Sequence, residues 1–326
     1  MSSVIGIVVV ILFILYVVLP LIFRYSSAFQ RQLVFLPYTI SLRWPNSLTY
    51  NQPELHGLSG ARNFYMATEP KVTVGVWHIL PQNLTSQSFK TYEESLASEN
   101  PIILYLHGNS GSRATGHRLE LYKLLKSLNY HVISIDYRGF ADSSNVVMSE
   151  NGAVNDATRA YQYIRKYSGK SKVIVWGHSL GTAVGIKMVA QLSAVNQAPD
   201  GLILESPFNN IRDVFRNHPL TILYRPLSVV DRFFTERLPS NNVAFDSDVH
   251  IAGVECPTLI LHARDDPIVP VCLTKKLYEA GLKSRPSKWS PLQIIEFHED
   301  LKCAHEYICR VPQLPSIIQE FLDAAG

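Results

Sequence analysis

The most restrictive feature of the chain is the pentapeptide Gly177-His178-Ser179-Leu180-Gly181, which separates an apolar run from a segment of helical period. The run Lys172–Trp176 predicts a buried strand, and Leu180–Ala194 predicts a helix. A serine at such a strand-to-helix turn has a strained backbone, and a side chain two residues to either side would collide with the strand or the helix. The pattern therefore predicts a nucleophile elbow with Ser179 at its tip. A structural serine in a tight turn is the alternative.

Apolar runs and helical segments alternate over most of the remaining chain. The other predicted strands are Val72–Leu80, Ile102–Leu106, Val132–Ile135, Leu202–Leu204, Thr258–Leu261 and Leu292–Phe297. The other predicted helices are His117–Leu128, Asn151–Tyr167, Cys272–Ala280 and Pro312–Ala324. This alternation predicts the α/β class, with a mostly parallel sheet covered by helices on both faces.

A nucleophile elbow requires a histidine base, which follows both the serine and the acid in chain order. Two histidines lie late enough in the chain, His298 and His305. His298 ends a predicted strand, whereas His305 lies in a loop before the last helix. Because the base must approach the serine from a loop, His305 is the predicted base and His298 an ordinary, partly exposed polar residue.

The acid is expected in the loop that follows the strand Thr258–Leu261, where Asp265 and Asp266 stand side by side. Neighbouring side chains diverge, so only one of them can face the imidazole. Residues 266–270 resemble the common hydrolase pattern Asp-x-x-Val-Pro, which assigns the acid to Asp266 and leaves Asp265 as a surface or loop-capping carboxylate. The acid would fix the histidine tautomer and stabilise the imidazolium.

A His-Gly turn, Leu106-His107-Gly108-Asn109, follows the strand Ile102–Leu106. In a hydrolase of this class such a turn supplies one backbone N–H of the oxyanion hole, and the residue after the nucleophile supplies the other. The predicted donors are the N–H groups of Asn109 and Leu180. His107 either orders the turn by hydrogen bonding or is a solvated loop residue.

The N-terminus contains twenty residues without a charge, Val4–Phe23, enough to cross a hydrocarbon core. A retained anchor is favoured over a signal peptide because the run is longer than a typical signal core and lacks basic residues before it. Arg24, Arg31 and Arg43 follow it, which predicts a cytosolic hydrolase domain. Asn83 begins a candidate glycosylation sequon, which would matter only in the lumen. The residues leave the topology open.

Net charge, other motifs and the cysteines narrow the possible functions further. A net charge of +3 gives no argument for nucleic acid as a partner. The sequence contains no metal-ligand pattern, phosphate loop or dinucleotide fingerprint, and we expect no cofactor. The four cysteines lie in the last quarter of the chain, either as free thiols or with a Cys303–Cys309 bridge.

Three parts follow the order of the chain: the anchor (4–23), a membrane-proximal connector (24–70) and a hydrolase domain (71–326). Residues 207–254 of that domain, here called the cap, are rich in aromatic residues and prolines. They are too long for a plain crossover. The cap is expected either to form a lid over the site or to be a peripheral insertion whose aromatic side chains pack inward.

From about Gln30 to its C-terminus the chain resembles the membrane-anchored lysophosphatidylserine and monoacylglycerol lipases of the α/β-hydrolase superfamily. The segments that carry the resemblance are Ile103–Asn109, His117–Lys123, Ile135–Gly139, Trp176–Thr182, Ile203–Phe208, Ile260–Ala263 and Asp265–Pro270. The chain departs from the family in a shorter region before the anchor and around Cys303.

The resemblance implies a triad of Ser179, Asp266 and His305. It also implies a single-pass protein of the endoplasmic reticulum whose site faces the lumen, in contradiction to the arginines after the anchor. The expected substrate is a single-chain lipid ester at the membrane, and no protein partner is implied.

Two alternatives remain at this point. A thioesterase that removes palmitate from protein cysteines would use the same triad in the cytosol, and a glycosylated Asn83 would count against it. A catalytically silent hydrolase fold would serve as a membrane scaffold, and it would fail to react with a fluorophosphonate probe.

Overall fold

An eight-stranded sheet forms the centre of the molecule, in a computed structural model that describes residues 2–36, 49–87, 89–217, 224 and 231–324. The strand order is β1-β2-β4-β3-β5-β6-β7-β8. The strands are β1 Ala61–Glu69, β2 Val72–Ile79, β3 Ile102–Leu106, β4 His131–Ile135, β5 Val173–His178, β6 Gly201–Glu205, β7 Thr258–Ala263 and β8 Leu292–Phe297. From β4 to β8 neighbouring strands are parallel, whereas β2 pairs antiparallel with both β1 and β4. This confirms the predicted α/β-hydrolase fold with a mostly parallel sheet.

Helices cover both faces of the sheet. Those of the described chain are α1 Ser2–Phe13, α2 Leu19–Tyr25, α3 Ser27–Val34, α4 Tyr92–Ser95, α5 Gly116–Ser127, α6 Glu150–Tyr167, α7 Leu180–Ser193, α8 Ile211–Asn217, α9 Ser247–His250, α10 Val271–Ser284 and α11 Leu314–Ala324. Helices α6, α7 and α10 contribute to one apolar cluster, and α5 and α11 to a second.

Alternate side chains along a strand belong to different clusters. On β3, Leu104 and Leu106 belong to the first cluster, whereas Ile103 and Tyr105 belong to the second. Successive side chains of a strand point to opposite faces, so a strand buried on both faces needs a continuous apolar run. Burial of the apolar side chains in the two clusters stabilises the packing of the helices on both faces of the sheet, at about 25 cal/mol per Å² of apolar surface.

The sheet begins at Ala61, inside the segment predicted as a connector. Strand β1 lies at the sheet edge and is only partly buried, so its sequence lacks the apolar run of a central strand. The helix α3 lies in the same segment, and Val34 and Phe35 are buried in the first cluster. The hydrolase domain therefore includes residues well before the predicted boundary at residue 71.

Residues Val4–Tyr25 form one helix of 22 residues that contains an 18-residue stretch of mean hydropathy 3.2, long and apolar enough to cross a membrane. Its α-helical pattern is interrupted by a π-turn at Ile14–Val18, just before Pro20. Proline has no N–H to donate into the preceding turn, which favours such a widening. The Leu19 N–H bonds to the Ile14 carbonyl, and the Leu15 carbonyl accepts a 2.7 Å hydrogen bond from the Tyr224 hydroxyl of the cap.

The described part of the cap packs against the N-terminal helices. The ring of Phe23 in α2 lies 5.3 Å from Phe215 and 5.1 Å from Phe234, and Phe35 lies 5.8 Å from Phe245. These aromatic side chains pack against the N-terminal helices and within the first apolar cluster. Residues 218–223 and 225–230 of the cap lie outside the described residues.

Candidate active site

Ser179 stands between β5 and α7 with φ +52° and ψ −118°, a conformation that side chains rarely adopt. The two motif glycines make this turn sterically feasible. A Cβ on Gly177 would lie 2.4 Å from the Gly181 carbonyl oxygen, and one on Gly181 would lie 2.0 Å from the Leu106 oxygen. The Ser179 N–H bonds to the Glu205 carbonyl at 2.9 Å. The elbow is therefore pressed against the end of β3 and tied to the end of β6.

His305 and Asp266 form a buried pair. The Nδ1 atom of His305 lies 2.6 Å from Oδ2 of Asp266, whose other oxygen accepts the N–H groups of Ile268 and Val269 at 2.8 and 2.9 Å. Burial alone would raise the pKa of Asp266, but the hydrogen bonds from His305 and Val269 outweigh it and hold that pKa below its ordinary value. An ionised Asp266 keeps the proton of His305 on Nδ1 and leaves the Nε2 lone pair free to accept one.

His178 connects the elbow to the loop that carries His305. Its Nε2 lies 2.9 Å from the His305 carbonyl oxygen, and the two rings lie 4.9 Å apart. Burial lowers the pKa of His178 to about 3, so the ring is neutral at physiological pH. Because a carbonyl oxygen only accepts, Nε2 carries the proton and donates it to this bond. The neighbour of Ser179 thus fixes the backbone of the predicted base.

The turn after β3, residues 107–110, lies against the elbow. A Cβ on Gly108 would lie 3.3 Å from both the Ser179 Cβ and the His178 Nδ1. His107 is fully buried, and its Nδ1 lies 2.6 Å from the Gly108 carbonyl oxygen. Burial holds the pKa of His107 well below its ordinary value, so the neutral ring orders the turn and is not solvated.

A carbonyl in the same turn is held by the segment that follows α3. The Asn109 oxygen accepts the Leu36 N–H at 2.7 Å, and Leu36 forms a parallel bridge with Ser110. The predicted oxyanion turn is therefore braced by the chain that leads in from the N-terminal helix.

Glu205 is a buried carboxylate that the sequence reasoning did not single out. It ends β6, is 3% exposed, and accepts a 2.8 Å hydrogen bond from the Trp176 indole. Burial raises its pKa to about 7, and the indole hydrogen bond offsets this only in part. The signal available in the sequence was an acidic residue at the carboxyl end of a central strand, where side chains meet at the site edge.

His298 and Asp265, the second candidates for the base and the acid, make other contacts. His298 is exposed, and its Nδ1 lies 3.0 Å from Asp300. Asp265 does not contact the imidazole; its Oδ2 accepts the Ala304 N–H at 3.0 Å and thereby ties down the loop before His305. This is the loop-capping position expected for it.

The candidate glycosylation site and the cysteines were also singled out in the sequence. Asn83 is exposed in a short 3₁₀ turn, Gln82–Leu84. All four cysteines are free: Cys256 and Cys303 are buried, Cys309 is half-buried and Cys272 is exposed. Within the described ranges, no group of three or more His, Cys, Asp or Glu side chains is placed to hold a metal ion.

Comparison with known proteins gives a consistent family. Residues 101–246 match the α/β hydrolase fold model. The chain is 42% identical to the lysophosphatidylserine lipase ABHD12 of Rattus norvegicus over 94% of its own length and 77% of that protein. It is 33% identical to the human protein ABHD12B over 91% of its length and 84% of that protein.

Solved structures share the fold at low sequence identity. The esterase Pf2001 of Pyrococcus furiosus matches with a TM-score of 0.61 and 18% identity, over 83% of this chain and 93% of that one. An α/β hydrolase from Vibrio vulnificus matches with a TM-score of 0.66 and 14% identity, over 91% and 92% of the two chains.

Proposed function

The chain belongs to the family of the lysophosphatidylserine lipase ABHD12, and we propose that it is a serine lipase that hydrolyses carboxylic esters of single-chain lipids. Lysophosphatidylserine, monoacylglycerol or both are the substrates, and a fatty acid is released. The observation that carries this proposal is the buried Asp266–His305 hydrogen bond, joined through His178 to a strained serine elbow.

The reaction is a two-step acyl transfer. His305 Nε2 removes the Ser179 hydroxyl proton as the oxygen attacks the ester carbonyl, and His305 then protonates the departing glycerol oxygen. Water, deprotonated by the same nitrogen, attacks the acyl-enzyme, and the returned proton restores Ser179 as the fatty acid leaves. Asp266 holds the imidazole in the productive tautomer throughout.

Negative charge on the carbonyl oxygen is stabilised by the N–H groups of Asn109 and Leu180. Leu180 begins α7, where the first backbone N–H groups of a helix have no partner within the helix and the helix dipole favours negative charge. Each donor is worth about 3 kcal/mol in the transition state.

The apolar helix Val4–Tyr25 anchors the enzyme in the membrane of the endoplasmic reticulum, with the catalytic domain in the lumen. Support comes from the length of the helix and from the exposed position of the Asn83 sequon. Treatment of the cell-derived protein with an endoglycosidase should increase its gel mobility, and Asn83→Gln should abolish that shift. A protein that never carries a glycan would place the domain in the cytosol and favour the thioesterase.

The catalytic assignment is tested by Ser179→Ala and His305→Ala in the full chain, assayed on a panel of lysophospholipids, monoacylglycerols and a palmitoylated peptide. Both variants should lose at least about 10³-fold in kcat, since triad members act as a unit. His298→Ala is the matched control and should keep kcat within about twofold because His298 is exposed and contacts only its own loop. Full turnover by Ser179→Ala, or a preference for the peptide thioester, would contradict the proposal.

A further inference from the structure

Arg118 is a buried cation that the triad chemistry does not use. It lies in the first turn of α5 and is 2% exposed. The acidic residue on the same helix, Glu120, pairs with Arg310, and Asp136, which follows β4, pairs with Arg113. Among the residues that the structure describes, no ion pair includes Arg118.

This position is unfavourable for a positive charge on two grounds. A buried guanidinium loses its hydration, and the N-terminal end of a helix favours negative charge because the first backbone N–H groups are unpaired there. The Arg118 Nε has no hydrogen-bond partner within the described ranges. The two terminal nitrogens must therefore make the contacts that compensate for burial of the charge.

Those two nitrogens contact the end of the oxyanion turn. Nη1 of Arg118 donates to the Ser112 carbonyl and Nη2 to the Ser110 carbonyl, each at 2.6 Å. The Ser112 carbonyl also accepts the Thr115 N–H at 3.0 Å. Among the hydrogen bonds of the described chain, Arg118 is the only donor to the Ser110 carbonyl. A planar guanidinium can hold two acceptors at once, and its charge strengthens both bonds.

The clamp lies next to the proposed oxyanion donor. Ser110 directly follows Asn109, and the Asn109 carbonyl accepts the Leu36 N–H at 2.7 Å. The carbonyl oxygens of two consecutive residues are thus held by groups from two other parts of the chain. The Asn109 N–H must point to the place where the substrate oxygen becomes negative, and a donor displaced by about 1 Å can lose its effect on the rate.

The charge of Arg118 also acts on the turn and on its surroundings. Burial, followed by the positive charge of Arg118, holds the pKa of His107 and of His117 below the ordinary value. His107 belongs to the oxyanion turn itself. Since charges interact strongly in a buried site of low dielectric constant, the same field favours a negative oxygen beside this turn.

We propose that Arg118 is a positioning residue for the oxyanion hole. It clamps the Ser110 and Ser112 carbonyls, which holds the Asn109 N–H toward the reacting ester, and its charge favours the oxyanion. This inference deepens the proposed function and rests on its assignment of Ser179 as the nucleophile and of Asn109 as a donor.

The experiment uses the full chain in detergent, with Arg118→Met and Arg118→Lys, and a water-soluble p-nitrophenyl ester as substrate. Turnover is counted per site that reacts with a fluorophosphonate on prolonged incubation, so that unfolded protein does not contribute. Arg118→Met removes the charge and both hydrogen bonds, and kcat should fall by about 10²-fold while KM changes by less than about threefold. Arg118→Lys keeps the charge without the fork and should recover about tenfold of that loss.

An alkyl trifluoromethyl ketone distinguishes positioning from a general loss of stability. The Ser179 oxygen adds to its carbonyl carbon, the hydroxyl proton passes to His305, and the carbonyl electron pair moves onto the oxygen, which becomes negative as in the transition state. The inhibition constant should therefore rise by the factor by which kcat/KM falls, in both variants. A residue that only stabilises the fold would lower the unfolding temperature without this proportionality.

Lys123→Met is the matched control. Lys123 is an exposed cation on the same helix, and its replacement removes one positive charge without a contact to the turn. It should leave kcat, KM and the inhibition constant within about twofold of the parent.

Three results for Arg118→Met would overturn the proposal: a kcat equal to that of the parent, a loss that lies entirely in KM, or an inhibition constant that does not follow kcat/KM. If this variant does not fold, Arg118→Lys is judged by the same three criteria. A parent chain that turns over no ester would contradict the proposed function, and this inference with it. An active parent with unaffected Arg118 variants would contradict the role of Arg118 alone.

Discussion

Gly181 and Gly185 lie one turn apart in α7 but meet very different surroundings. A Cβ on Gly181 would lie 2.0 Å from the Leu106 oxygen and 2.8 Å from the His107 oxygen, both backbone atoms, whereas the nearest atoms to one on Gly185 are side-chain carbons at 3.5 Å. We expect Gly181→Ala to lower the free energy of unfolding by at least about 3 kcal/mol and to displace the oxyanion turn. Gly185→Ala should raise it by about 0.5–1 kcal/mol through helix propensity. Urea unfolding of both variants measures the difference, and equal effects would contradict the steric account.

Glu205 gives the protein a stability that depends on pH. Its pKa is raised from about 4.5 in the unfolded chain to about 7 in the folded protein. The folded state therefore retains the proton longer, and stability present below pH 4.5 is lost as the pH rises to 7, by up to about 3 kcal/mol. Glu205→Gln can still accept the Trp176 hydrogen bond and lacks this loss. The unfolding free energy of the variant relative to wild type should rise between pH 4.5 and 8, and a constant difference would exclude the titration.

At the scale of elements, Gln30 joins α2, α3 and the cap. Its side chain is fully buried, donates to the Phe23 carbonyl at 2.8 Å and accepts from the Asn241 amide at 2.7 Å. Gln30→Leu leaves both partners unpaired and should lower the unfolding free energy by about 2–4 kcal/mol. Gln32→Leu, on the exposed face of α3, should change it by less than about 0.5 kcal/mol. Thermal unfolding compares the two variants. Equal stability would mean that the two hydrogen bonds of the Gln30 side chain do not stabilise the folded protein.

The sequence predicted the strands and helices whose position follows from a local pattern of apolar residues. The central strand Ile102–Leu106 lies at its predicted residues because burial on both faces demands an uninterrupted apolar run. The strand Leu292–Phe297 also lies at its predicted residues, although it is the other edge strand and is only partly buried. For the edge strand β1 the sequence indicated no more than one short strand somewhere in the connector, because ARNFYMATE contains no uninterrupted apolar run. The fixed chain order of the superfamily led to Asp266 and His305, which lie in hydrogen-bond contact although 39 residues separate them.

Contacts without a sequence pattern were not predictable. Arg24 and Glu236 are 212 residues apart, and neither residue type nor spacing indicates that they pair. Glu205 would ordinarily be taken for an exposed carboxylate, since acidic side chains are rarely fully buried. It is buried because it ends the central strand β6 and accepts a hydrogen bond from the Trp176 indole.

At the scale of the whole molecule, the N-terminal helix has two parts with different neighbours. Most side chains from Val4 to Phe13 are exposed to whatever surrounds the helix, whereas Pro20 and Phe23 are buried and Phe23 contacts the cap. The second part continues through α3 to Leu36, whose N–H holds the Asn109 carbonyl. The second part of the apolar run, from Pro20 onward, is therefore packed into the hydrolase domain.

Two truncations test this packing. Removal of residues 1–18 keeps α2, α3 and the Leu36–Asn109 bond, so kcat on a water-soluble ester should stay within about threefold while activity on bilayer lipid falls, because the local substrate concentration is lost. Removal of residues 1–36 exposes the apolar side chains that Phe23 and Phe35 cover, and it also frees the oxyanion turn. Soluble-ester kcat should then fall by about 10²-fold or more, the loss expected when one oxyanion donor is misplaced. If both truncations turned over the water-soluble ester equally fast, residues 19–36 would not support the active site.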